Sequence, residues 1–346
     1  MATTREKSRR NQTPPATDDR AAGRKKLELL YEPIREELAQ FESMLESELR
    51  SDYPLVDQLA KHGFRLGGKR LRPALVLLSA KAAGGVNREH LVLATVVEMI
   101  HTATLVHDDV LDAASLRRHL ETVNARFGVH ASVLLGDFLF THAFYLASTL
   151  SSTLACQTIG RATNIVCEGE LRQIASQGNM ALSEAEYLGI IEAKTAELCA
   201  CSCELGAHYA GTDAEVVAAL ARYGRALGIA FQIVDDLLDL VGDEATTGKT
   251  LGSDLEQQKL TLPLIRLLSQ FDDARRRQAV EQLQNANGHG RALLEDWFEQ
   301  SDALAYARQK AVGYADQARA ELKCLAASPA QAVLQKLTEF VVDRRQ

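Results

Sequence analysis

Two long apolar stretches of this chain end in the same acidic pattern, Asp-Asp-x-x-Asp. Residues 105–119 read LVHDDVLDAASLRRH and place Asp108, Asp109 and Asp112 together; residues 231–243 read FQIVDDLLDLVGD and do the same with Asp235, Asp236 and Asp239. On a helix, positions i and i+4 share a face, so Asp108 and Asp112 repel each other. Acids at a helix C-terminus also oppose the macrodipole. One such end reads as a solvated terminus. Its repetition calls for a fold in which two helix ends face a common positive charge.

The rest of the chain supplies the helices. Only 5% of the 346 residues are aromatic and only 7 are proline, a balance that favours helix over strand. Leu30, Ile34, Leu38, Phe41 and Leu45 recur at helical spacing. Further helices are expected after Pro73 up to Gly84–Gly85, then over 88–112, 130–150, 156–177, 184–210 and 213–241. Residues 259–345 read as shorter helices broken near Asn285–Gly290 and at Pro329, and no alternating β-branched run reads as a strand. Residues 138–160 hold no Asp, Glu, Lys or Arg, but their Ser and Thr content suits a buried helix rather than a membrane span. Residues 1–24 read as a disordered basic arm, and 25–346 as a single all-α domain.

A net charge of −7 argues against a nucleic-acid partner and leaves room for an anionic substrate met by local basic clusters. The N-terminal segment is polar and lacks an apolar leader core, so the 6 cysteines read as free thiols of a cytoplasmic protein. Cys199, Cys201 and Cys203 in CACSC have no second Cys/His pair at zinc spacing and read as small buried helix residues.

Carboxylates from two facing helices make a hard-oxygen site that suits magnesium, which keeps several waters and bridges to phosphate. Zinc or iron would recruit histidine, and an EF-hand loop is absent. Phosphate in turn calls for cations. Lys69, Arg70 and Arg72 lie in GGKRLRP, Arg117 and Arg118 follow the first cluster, and Lys194, Lys249 and Lys259 come later.

This ordered set (GGKRLRP, DDVLD with LRR, KTAEL, FQIVDDLLD, GKTLGSDL) resembles the trans-type (E) isoprenyl diphosphate synthases over nearly the whole chain after the arm. The resemblance implies a homodimeric all-α bundle of long helices around a central cavity. It implies head-to-tail condensation of isopentenyl diphosphate onto an allylic diphosphate, with a peripheral membrane contact expected for product release. It also implies that Asp108, Asp112 and Asp235 bind Mg2+, supported by Asp109, Asp236 and Asp239. Arg117, Lys194, Lys249 and Lys259, with Thr195 and Gln232 nearby, would grip the allylic diphosphate; Lys69, Arg72, His101 and Arg118 would hold isopentenyl diphosphate.

In the family, the residues four and five positions before the first aspartate form part of the floor of the tail channel. Here they are the small Thr104 and Ala103, with Phe140 and Phe144 on the facing helix as candidates for a deeper floor, which implies a medium or long product. Two departures stand out: HLET replaces the usual Gly-x-Pro-Thr after LRR, and Gln258 replaces a glycine before Lys259. A terpene cyclase would not need GGKRLRP, and a non-catalytic synthase subunit would have lost acids from one cluster.

Overall fold

The computed structural model describes residues 27–65, 68–117, 120–241, 254, 257–284 and 290–344. The arm expected over 1–24 lies outside them. Along the chain run α1 (Arg35–Glu48), α2 (Pro54–Arg65), α3 (Leu71–Ala83), α4 (Arg88–Leu111), β1 (Leu116–Arg117), β2 (Leu120–Glu121), α5 (Val123–Phe127), α6 (Val129–Ser148), α7 (Leu154–Ser176) and α8 (Glu184–Ile191). A π-helical turn, Glu192–Ala196, joins α8 to α9 (Glu197–Tyr209). Then follow α10 (Ala214–Val241), α11 (Leu262–Ser269), α12 (Asp273–Gln284), α13 (Gly290–Glu299), α14 (Ala303–Glu321) and α15 (Pro329–Val342).

The all-α reading holds, with two corrections. The expectation of no strand misses β1 and β2, which pair antiparallel with Arg117 opposite Leu120. A two-residue ribbon has no period to read. It is closed by Thr122, whose backbone N–H donates to Ser115 and whose hydroxyl donates to Ala114 at 2.7 Å. The single helix expected over 184–210 is interrupted by the π-helical turn, whose i→i+5 bond runs from the Glu197 N–H to the Glu192 carbonyl.

Helix boundaries follow local chemistry. α3 begins two residues before Pro73, because a proline in the first turn removes an N–H that has no intrahelical acceptor. α4 opens on a reciprocal cap: Asn87 accepts from the Glu89 and His90 N–H groups, and His90 Nδ1 accepts from the Asn87 N–H. α15 opens at Pro329 behind a Ser328 cap.

α4 is the central helix, packed on α6, α3, α9 and α1, and α10 packs on α9 and α14. Leu75, Leu77, Leu93, Met99, Ile100, Leu139 and Tyr223 are fully buried between them. Each such side chain contributes about 1.5–3 kcal/mol of transfer free energy. Tyr223 keeps its hydroxyl satisfied on the Leu334 carbonyl at 2.8 Å, which ties α15 to α10. A second apolar cluster joins the C-terminal half of α10 to α11 and α14. With α4 and α10 both anchored by core contacts along their length, their acidic C-terminal ends are held in place.

Candidate active site

At the end of α4 the three aspartates differ in environment. Asp109 is buried and paired with Arg117, whose Nε and Nη2 both lie 2.8 Å from Oδ1. The short ribbon therefore turns Arg117 inward. Asp112 caps the helix and accepts from Lys259 Nζ at 3.1 Å. Asp108 is partly buried, and that burial pushes its carboxyl up to about 6; Lys194 opposes the shift, while Glu170 and Asp112 add to it.

The second acidic end mirrors this division. Asp236 is buried, accepting from Tyr187 Oη at 2.6 Å and from Gln232 Nε2 at 2.7 Å, and desolvation holds its carboxyl well above the usual range. Asp235 lies 3.4 Å from Arg344 Nη2, and Asp239 accepts from the Asp254 N–H at 3.2 Å. In each cluster the middle residue is buried against protein groups, whereas the outer ones are partly exposed.

The π-helical turn carries Lys194 and Thr195. Lys194 Nζ lies 2.5 Å from Glu170 Oε2 and donates to Gln173 Oε1 at 2.7 Å, both on α7. Thr195 donates to Gln232 Oε1 at 2.9 Å, so a chain of hydrogen bonds runs Thr195–Gln232–Asp236–Tyr187. α7 can pass this close because residue 169 is glycine: a Cβ there would sit 2.7 Å from the Lys194 backbone nitrogen.

The GGKRLRP element divides its labour. Arg70, at φ 49°, is a structural clamp on Glu98 (2.6 Å) and Glu42 (2.8 Å). Lys69 places Nζ 5.7 Å from the Phe340 ring, and Arg72 is half-buried, its buried Nε lacking a hydrogen-bond partner among the described residues. A small cleft opens beside Arg70, lined by Gly68, His101, Thr102, Asp109 and Arg117 among others. Arg118 and Lys249 lie outside the described residues.

On α4, Thr104 is partly exposed on the Asp108 face, whereas Ala103 is fully buried. Phe140 stacks on His107 with centroids 6.3 Å apart, near the acidic end of α4, and Phe144 packs one turn further along α6 over Gly160. Gln258, the departure from glycine, holds φ 55°, a left-handed conformation that glycine adopts without strain. Its carbonyl accepts from the Gly178 N–H at 3.0 Å, which anchors the turn that delivers Lys259 to Asp112.

Sequence reasoning missed Glu170, Gln173, Tyr187 and Arg344. The EGELRQ run (168–173) offers Glu170 and Gln173 at i, i+3, a spacing that puts both on one face of α7. Arg344, stacked 4.3 Å over Phe231, is brought in only by tertiary folding of α15. CACSC is buried in α9, and burial raises all three thiols.

Among the described residues, no three Asp, Glu, His or Cys side chains converge at metal-binding distance. The acids are drawn instead onto protein cations and donors. The outer residues of both clusters, Asp108, Asp112, Asp235 and Asp239, are partly exposed and offer only carboxylate oxygens, a donor set that fits a hard divalent ion.

Two long helices with aspartate-rich ends, each paired with basic side chains, suit a diphosphate substrate. The chain belongs to the polyprenyl synthetase family of prenyltransferases, whose model matches residues 53–299. Octaprenyl diphosphate synthase of Escherichia coli (strain K12) is 37% identical over 324 residues, which span 92% of this chain and 99% of that one. Among solved structures, polyprenyl synthase of Caulobacter crescentus CB15, complexed with calcium and isoprenyl diphosphate, superposes with a TM-score of 0.87 at 37% identity, over 92% of this chain and 98% of that one. Decaprenyl diphosphate synthase of Rhodobacter capsulatus gives a TM-score of 0.87 at 34% identity, over 92% and 99%. The reaction of this chain is therefore the family's, the condensation of isopentenyl diphosphate with an allylic diphosphate.

Proposed function

We propose that this chain makes a medium- or long-chain all-trans polyprenyl diphosphate, geranylgeranyl or longer, as a quinone side-chain precursor. The observation that carries this reading is the small Thr104, partly exposed one turn below Asp108 on the same face of α4. A tail growing from a diphosphate held at Asp108 meets no bulky residue there. The octaprenyl and decaprenyl relatives support the same reading.

Asp108, Asp112 and Asp235 would hold magnesium. When bound, that ion neutralises charge on the diphosphate and makes it a better leaving group. Lys194, Lys259 and Arg117, with Lys249, would bind the allylic diphosphate, and Thr195 and Gln232 would orient it. Lys259 lies 3.1 Å from Asp112 Oδ1 and Lys194 2.5 Å from Glu170 Oε2, which supports their place beside the first acidic end. Lys69, Arg72, His101 and Arg118 would hold isopentenyl diphosphate; of these, His101 lines the cleft at the acidic end of α4.

As the allylic C–O bond breaks, these fixed cations stabilise the charge that collects on the departing diphosphate. The alkene of isopentenyl diphosphate attacks the allylic carbon, and the proton lost from the adduct passes to the departing diphosphate. The apolar walls of α4 and α6 exclude the water that would quench the cation.

Purified protein with magnesium, labelled isopentenyl diphosphate and, separately, geranyl, farnesyl and geranylgeranyl diphosphates tests this reading. After dephosphorylation, alcohols of geranylgeraniol length or longer, with a sharp upper limit, are expected. A product that stops at farnesol would refute it, and no incorporation would indicate a non-catalytic subunit.

A homodimer through α6 is part of the same proposal. That helix is apolar and long enough to cross a membrane, yet only 33% of its apolar window is buried. Val129, Val133, Leu134 and Tyr145 stand exposed along it, a face that a second copy would cover. Leu134→Glu combined with Tyr145→Glu is expected to convert the dimer to monomer in sedimentation velocity. An undisturbed dimer would place the interface elsewhere.

A further inference from the structure

The π-helical turn is a deviation from α-geometry inside an otherwise continuous helix, and something must hold it. Its closing hydrogen bond joins the Glu192 carbonyl to the Glu197 N–H. The side chains of those same two residues meet one atom: Arg225 Nη1, on α10, lies 3.2 Å from Glu192 Oε1 and 2.5 Å from Glu197 Oε2. On a regular α-helix, residues five apart are rotated by about 140° and point to different sides. One guanidinium nitrogen reaches both because the wider turn brings them together.

Two further contacts confine the same segment. Gly228, on α10 one turn beyond Arg225, lets that helix touch it: a Cβ at residue 228 would lie 2.6 Å from Ala196 Cα. Gly169 allows the matching approach from α7. The turn is squeezed between two helices, and Arg225 clips its two ends. Glu197 is buried, so its carboxylate depends on that clip.

We propose that Arg225 is a positioning residue: by bridging Glu192 and Glu197 it selects the π-helical form that aims Lys194 and Thr195 at the allylic diphosphate. Without the clip, the segment can relax toward α-geometry, which rotates both side chains about the helix axis. This inference rests on the reading of Lys194 and Thr195 as allylic-diphosphate ligands given above.

Steady-state kinetics on the full chain, with each substrate varied in turn, test it. Arg225→Met is expected to lower kcat/KM for the allylic diphosphate by about 10- to 100-fold, the cost of a misplaced ligand, through a raised KM. KM for isopentenyl diphosphate is expected to change by no more than about twofold, since its ligands lie on other elements. Arg225→Lys, which keeps a cation between the two acids, restores most of the loss. Glu192→Ala, which opens the clip while keeping the buried Arg225–Glu197 pair, gives a smaller effect of the same kind and decides the matter if Arg225→Met does not fold. Lys194→Ala is the reference: in its background Arg225→Met is expected to raise allylic KM by a smaller factor than it does alone, the remainder coming from Thr195. If Lys194→Ala raises allylic KM but folded Arg225→Met or Glu192→Ala does not, the positioning role is overturned and the site reading stands. If Lys194→Ala leaves allylic KM unchanged, both are overturned.

Discussion

Asp108→Asn is expected to lower kcat by about a thousandfold, the scale at which loss of one preorganised charge in a transition-state site is felt. The same substitution is expected to stabilise the protein. Burial, with the acids Glu170 and Asp112 adding to it, pushes the Asp108 carboxyl up to about 6, above its ordinary value near 3.8. Between those values the folded state binds more protons than the unfolded one, so stability falls as pH rises through the window and the penalty is complete above it. Asparagine carries no such charge. Its melting temperature, measured without metal or diphosphate, is expected to exceed the parent's at pH 8, with the difference closing toward pH 4. Loss of activity with loss of stability would instead make Asp108 a fold residue. A gain in stability with full activity would remove it from the chemistry.

Thr104→Phe is expected to shorten the dominant product to farnesyl or geranylgeranyl length. One helical turn rises about 5.4 Å, comparable to an extended isoprene unit, so a ring one turn below Asp108 blocks the tail early. The structure makes Thr104 the informative position of the adjacent pair. Ala103 is fully buried, and a phenylalanine there overpacks the core at a cost of about 1–3 kcal/mol before it says anything of the channel. Unchanged product length in the Thr104→Phe enzyme, read by chain-length separation of the alcohols, would sink the channel role of this face.

The two aspartate clusters and the all-α class were legible because both are periodic signals carried by contiguous residues. The i, i+4 repulsion between Asp108 and Asp112 is visible without any fold, as is its repetition at Asp235 and Asp239. What the pattern could not do was assign different duties within it. Asp109 and Asp236 carry the same charge as their neighbours, yet each points to the protein side, onto Arg117 and onto Tyr187 with Gln232. GGKRLRP shows the same limit. Three cations in four residues read alike, and only Glu42 and Glu98, which are remote in sequence, mark Arg70 as a clamp.

The sequence by itself determined the helices, their acidic ends and the kind of chemistry those ends can do, since local spacing sets which charges share a face. Tertiary structure alone decided which cations answer them. Glu170 comes to Lys194 across a glycine contact, Lys259 reaches Asp112 from 147 residues away, and Arg344 reaches Asp235 from just beyond the last helix. The physical reason is range: a helix phases its own side chains over a few residues, whereas an ion pair between elements exists only once both backbones are packed in place.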